Sequence, residues 1–181
     1  MKRLLAIVIL LFISACGATP SQDVIDVGLG RKAPLVPKPL DAAGLLADPC
    51  AVFPNNPTLV RIEETDRGKT PGCKMTTGEG KPLTIDILLF PEITKGLEQL
   101  YEYHRNDAWK NGYFEPVTVS GYPAVFAAIR DDRPIGKCDL NVALTDQLFF
   151  AVFSHAHQGG TGCEFARAIA SSVIETLNHT Q

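Results

Sequence analysis

The sequence contains no apolar stretch long enough to cross a bilayer, no run of basic residues, no CxxC pair, no G-x-S-x-G turn and no internal repeat. Each absence excludes a class. A membrane-spanning helix needs about 20 apolar residues, whereas residues 4–13, the apolar run behind Lys2 and Arg3, number only ten. Without a basic run nothing tracks phosphates, so neither nucleic acid nor an anionic lipid patch is expected as a partner. Without CxxC, and with long cysteine spacings, a structural zinc site is not expected, and no metal or other cofactor is implied. Without a nucleophile elbow, Ser154 lacks the setting that exposes a catalytic serine.

What is present begins at the amino terminus. Lys2-Arg3 followed by the short apolar run has the pattern of a signal peptide. It ends in Ile13-Ser14-Ala15-Cys16, a branched apolar residue, two small residues and cysteine, which resembles the lipobox of bacterial lipoproteins. The resemblance implies that Cys16 receives a diacylglycerol and becomes the first residue after cleavage. The expected organisation is therefore a lipoprotein signal peptide over 1–15, a lipidated Cys16 with a Pro-containing tether over 16–40, and one domain over 41–181. Removal of 1–15 takes away two of the 17 basic residues and moves the formal net charge from −3 to −5. Roughly 165 residues remain, enough for one domain with its own core. The tether expectation rests on Pro20, Pro34, Pro37 and Pro39 in a stretch with few large apolar side chains and no periodicity.

Four further cysteines, Cys50, Cys73, Cys138 and Cys163, form an even set in a chain that leaves the reducing cytoplasm, so disulfides are expected. Sequence alone allows three pairings. Local geometry favours one: Cys138 opens an alternating run, Thr145-Asp146 turns the chain back, and the return strand reaches the level of Cys138 near Ser154, just before Cys163. That leaves Cys50 for Cys73.

Periodicity gives the remaining elements. A short helical stretch lies within 41–53. Residues 73–77 and 83–90 form a hairpin around Gly78-Glu79-Gly80, with Leu83, Ile85, Ile87 and Leu89 on one face. A helix runs from about Thr94 toward Trp109 on the stripe Leu97, Leu100, Tyr101, His104 and Ala108. Strands follow at 113–119 and 122–130, then the hairpin of 138–144 and 148–154, whose second strand is apolar on both faces and therefore central, covered by helices. The last helix starts at a capping box, Thr161 with Glu164, and carries Ala166, Ile169, Ala170, Val173 and Leu177. The expected fold is α+β, an antiparallel sheet of about six strands covered by helices.

Taken in order, the lipobox, the tether, Asp48-Pro49-Cys50, Gly72-Cys73, Gly121-Tyr122-Pro123-Ala124, Cys138 and Cys163 resemble the actinobacterial lipoprotein family catalogued as domain of unknown function 3558, over essentially the whole chain. The resemblance implies the envelope of an actinobacterium and the same two disulfides, and no established activity. Such sequences often carry Trp two residues after the second cysteine of the framework, where this chain has Met75. The order of elements is also similar to that of the photosystem accessory protein PsbP and its relatives, an analogy of fold alone.

Candidate chemistry is sparse. His155 and His157 share one face of a strand, a spacing that binds zinc or copper when a third ligand converges, while His104 and His179 sit in no ligand motif. Asp131 and Asp132 beside Arg133-Pro134 form a carboxylate pair in what reads as a solvated loop. Tyr101, Tyr103 and Trp109, with Tyr113 and Phe114, are candidates to line an apolar ligand groove. The expectation is a non-enzymatic envelope lipoprotein, held on the membrane through Cys16, that binds a protein, lipid or glycan. The alternative is a hydrolase or metal-binding protein using His155 and His157.

Overall fold

The computed structural model describes residues 32–51, 59–66, 70–77, 83–157 and 160–180. The signal segment, Cys16, the tether up to residue 31 and the Gly78-Glu79-Gly80 turn lie outside the described residues. In chain order the elements are α1 (Ala43–Ala47), β1 (Leu59–Asp66), β2 (Pro71–Thr77), β3 (Leu83–Leu89), α2 (Leu97–Arg105), β4 (Tyr113–Val119), β5 (Tyr122–Ala128), a single 3-10 turn at Arg133–Ile135, β6 (Lys137–Ala143), β7 (Phe149–Ala156) and α3 (Gly162–His179).

The sheet is antiparallel throughout, seven strands in the order β1-β2-β3-β7-β6-β5-β4. The expected α+β fold is observed, with one strand more than the sequence pattern indicates. That strand is β1, where Leu59-Val60-Arg61-Ile62 runs into Glu63-Glu64 and the alternation is broken by charge; its pairing also shifts register between Arg61 and Glu63. The turn from β6 to β7 forms as expected: the Thr145 hydroxyl accepts the amide hydrogens of Gln147 (3.1 Å) and Leu148 (3.0 Å). This fixes the register that sets Cys138 opposite Ser154.

Register also fixes the faces, because residues paired across neighbouring strands point the same way. Cys138, Leu140, Val142, Val152, Phe150, Ile85, Ile87 and Cys73 share one face. Cys138 is bridged to Cys163 on α3, so this is the face that α3 covers with Ala166, Ala170, Val173, Ile174 and Leu177. Cys50–Cys73 attaches to the same face. The opposite face carries Phe114, whose ring packs against Tyr101 and His104 of α2. Helices therefore lie on both sides of β7, the fourth of seven strands.

Residues 32–40 correct the expected boundary of the tether. They belong to the domain: Ala33, Val36 and Leu40 are buried in the core. One oxygen of Glu98 on α2 accepts the amides of Lys32 and Ala33 (2.8 Å each), Asp146 accepts that of Val36 (2.9 Å), and the Leu144 carbonyl accepts that of Leu40 (2.9 Å). The prolines that made this stretch read as a tether instead preset an extended conformation at low entropic cost. The segment starts at α2, passes the β6–β7 turn, and reaches the α3 face through α1 and the Cys50 bridge. It is a strap round one end of the sheet.

Three smaller differences have local causes. Helix α2 is shorter than expected, starting after Gly96 and ending at Arg105; a Cβ on Gly96 would lie 2.6 Å from the Asp146 carbonyl oxygen, at φ +56. Strand β5 ends at Ala128, short of Arg130. The capping box does not form: Thr161 has φ −102 and ψ 7, not the extended backbone that aims a threonine hydroxyl into the helix, and it makes no side-chain cap. Gly162 instead allows close approach, since a Cβ there would sit 2.3 Å from the Gly136 carbonyl oxygen.

Each bridge closes a loop of 23 or 25 residues, worth about 3 kcal/mol in the chain-entropy estimate. The double substitution Cys138→Ala with Cys163→Ala is expected to lower unfolding free energy by about that amount in denaturant titrations. An unchanged midpoint would show that the bridge does not constrain the chain.

Candidate functional site

The face opposite α3 is covered along only part of its length. Toward the β6–β7 turn, Phe149, Ala151, Ala143 and Val125 are buried beneath α2 and the strap. Toward the other end the same face opens: Thr84, His155 and Lys137 lie side by side across β3, β7 and β6, followed by the row Asp86, Phe153 and Asp139. All six are half-buried rather than buried. Polar and titratable side chains gather here across the three central strands.

The two histidines are brought together as the spacing predicts. Their ring centroids are 3.8 Å apart with the planes tilted by 34°, and the Thr84 hydroxyl lies 3.5 Å from Nε2 of His157. Burial lowers the pKa of His155, and His157 and Lys137 lower it further by charge. Among the described residues no group of three His, Cys, Asp or Glu side chains converges on a metal position.

Asp139 was not a candidate from sequence. Burial raises its carboxyl to about 6, nearby Asp132 raises it too, and Lys137 opposes them. Its backbone explains the local geometry: strand pairing between β5 and β6 ends at Phe126 with Leu140, and the Asp139 amide donates to the Tyr113 hydroxyl at 3.0 Å. Tyr113 comes from the α3 face, and its phenol is pushed up to about 12, mainly by burial. Asp139 falls on the polar-reading side of the Cys138, Leu140, Val142 alternation, so the sequence marks it as an ordinary solvent-facing strand residue.

The other candidates resolve into packing. Ser154 is buried on the face opposite His155 and donates to the Gly162 carbonyl at 2.6 Å, pinning α3 to the sheet. Asp131 pairs with Arg133 (2.6 Å) and Asp132 with Arg130 (2.7 Å), and these guanidinium hydrogen bonds hold both carboxyls below their ordinary value. Arg133 also reaches Glu115 (2.7 Å) and lies over the Tyr113 ring. Tyr101 meets Phe114 edge-on at 5.0 Å, His104 stacks on it at 4.2 Å, and Trp109 lies 6.4 Å away with its indole N–H on the Leu100 carbonyl. Phe114 thus fills the space between the rings, while Tyr103 stands 44% exposed and Tyr113 is on the other side of the sheet. Two open depressions of about 480 and 400 Å³ lie elsewhere, beside Leu40, Leu46 and Leu148 and beside Cys163 and Arg167.

A family model described as "Protein of unknown function (DUF3558)" matches residues 11–176. The chain belongs to that family. The match runs through both disulfides and the whole described sheet. No curated protein and no solved structure matches the chain, and the likeness to PsbP rests on element order alone.

The raised carboxyl of this DUF3558 domain gives a signed pH effect. A folded-state pKa of about 6, above the ordinary 3.8, means that the folded protein holds a proton the unfolded chain releases. The resulting stabilisation is complete below about pH 4 and is lost as pH rises through 6. Asp139→Asn keeps the neutral shape, so it should be more stable than the parent at pH 8, by on the order of 2 kcal/mol, and equal to it at pH 4. Denaturant unfolding at the two pH values checks this; a gap independent of pH contradicts it.

Proposed function

We propose that this protein is a lipid-anchored lipoprotein of the cell envelope whose domain binds a protein, lipid or glycan partner without catalysing a reaction. The observation that carries the reading is a pair of disulfides bonded into the core, with Cys73 and Cys138 fully buried, in a chain whose amino terminus has a signal-like run ending at Cys16. Bridges of this kind form and persist in oxidising compartments. Two acyl chains on Cys16, at about 0.8 kcal/mol per buried methylene, would hold the protein on the extracytoplasmic face. No helix among the described residues is long and apolar enough to cross a membrane.

The strap modifies the geometry of such an anchor. With the domain described from residue 32, the chain from Cys16 can span at most about 58 Å. It joins the domain beside α2. The end of the sheet bearing His155, His157 and Asp139 is the one away from the β6–β7 turn, which the strap wraps. That arrangement leaves the half-open face available to a partner.

A non-catalytic role is supported by where the polar groups are committed. Ser154 and His155 face opposite ways, and the Asp131 and Asp132 carboxyls are neutralised by arginines.

Cys16→Ser is expected to shift the protein from the membrane to the soluble fraction of its host, and crosslinking in intact cells is expected to capture one reproducible partner on the wild type. Unchanged membrane association of the variant would overturn the anchor. A wild-type protein that captures nothing and turns over an ester or amide substrate would overturn the binding role.

A further inference from the structure

The geometry points to the His155–His157 pair as a two-imidazole site for a divalent first-row transition metal, with copper(II) bound tightest. His155, near the end of β7, and His157, in the turn that follows, lie together where the sheet is open. Their rings are already adjacent, 3.8 Å between centroids and tilted by 34°, so rotation about the side-chain torsions, without backbone movement, is what a common metal would require. Thr84, on the neighbouring strand, lies 3.5 Å from Nε2 of His157 and occupies one ring nitrogen, the outer-shell contact that fixes a ligand's orientation and tautomer. Imidazole suits copper, zinc and nickel, and affinity rises along the series to copper(II). With no third His, Cys, Asp or Glu converging among the described residues, the protein supplies two donors, and water or a donor from a bound partner completes the shell. The site is independent of how the chain is anchored.

Lys137 is the counterweight. It is the register partner of His155, and its ammonium disfavours a second cation nearby. Removing that charge should tighten binding, which gives the proposal a signature that incidental surface coordination lacks.

The test uses the full chain without an affinity tag, extracted in mild detergent and titrated with copper(II), with paramagnetic resonance to detect nitrogen ligands and a thermal melt to follow stability. One equivalent is expected to bind with imidazole nitrogen couplings. His157→Ala, at an exposed position that the fold does not need, should weaken binding by about a hundredfold, as should His155→Ala. Lys137→Met should tighten it by about threefold, and His104→Ala and His179→Ala should leave it unchanged. Zinc should follow the same variants at lower affinity. Copper that fails to bind, that binds equally well to both His155→Ala and His157→Ala, or that is lost with His104→Ala or His179→Ala overturns the site.

Discussion

The fold depends on covering β7 on both sides. Its first four residues, Phe149-Phe150-Ala151-Val152, are buried whichever way they point, and β3 and β6 flank it with Ile85, Ile87, Leu140 and Val142. A strand apolar on both faces costs free energy unless each face meets another layer, at roughly 25 cal/mol for every Å² of apolar surface left wet. Helix α3 meets one face and α2 the other. The strap of residues 32–40 joins α2 in closing the β6–β7 turn end, with Glu98 and Asp146 as acceptors for its amides. Burial pushes the Glu98 carboxyl up, but the amide hydrogen bonds from Ala33 and Lys32 and the Arg105 pair outweigh it and leave it below its ordinary value.

The disulfides reinforce this arrangement on one side only. Both bridges sit on the α3 face, one tying the strap's far end to β2 and the other tying the first turn of α3 to β6. Ser154 adds a third tie at the same corner through the Gly162 carbonyl. The opposite face has no covalent tie, and α2 covers it only toward the β6–β7 turn. The half-open end is therefore the part of the sheet where polar side chains stay half-buried rather than fully buried, and His155 and Asp139 occur there.

Much of this was legible in the sequence because it is local. The β6–β7 hairpin follows from alternation and from Thr145, the stripe of α3 from helical spacing, and the Cys138 bridge from the hairpin's register. The histidine pair follows from a period of two. What was not legible is non-local. Strand β1 is specified by its pairing with β2 more than by its own interrupted alternation. The strap reads as a linker because Ala33, Val36 and Leu40 are separated by prolines, and their burial depends on acceptors 65 to 110 residues away. Tyr113 and Phe114 are adjacent in the chain but serve opposite faces, so an aromatic run that looked like one groove lining is split by the sheet. Asp139 became visible only where Tyr113 takes the place of a β5 carbonyl.

Cys50–Cys73 and Cys138–Cys163 lock the domain around a doubly covered strand. The most direct test is a peptide map, under conditions that block thiol exchange, of the protein isolated from its own host. The account predicts both bridges fully oxidised in that pairing, with no free thiol among the four cysteines. Reduced cysteines, or any other pairing, would contradict it.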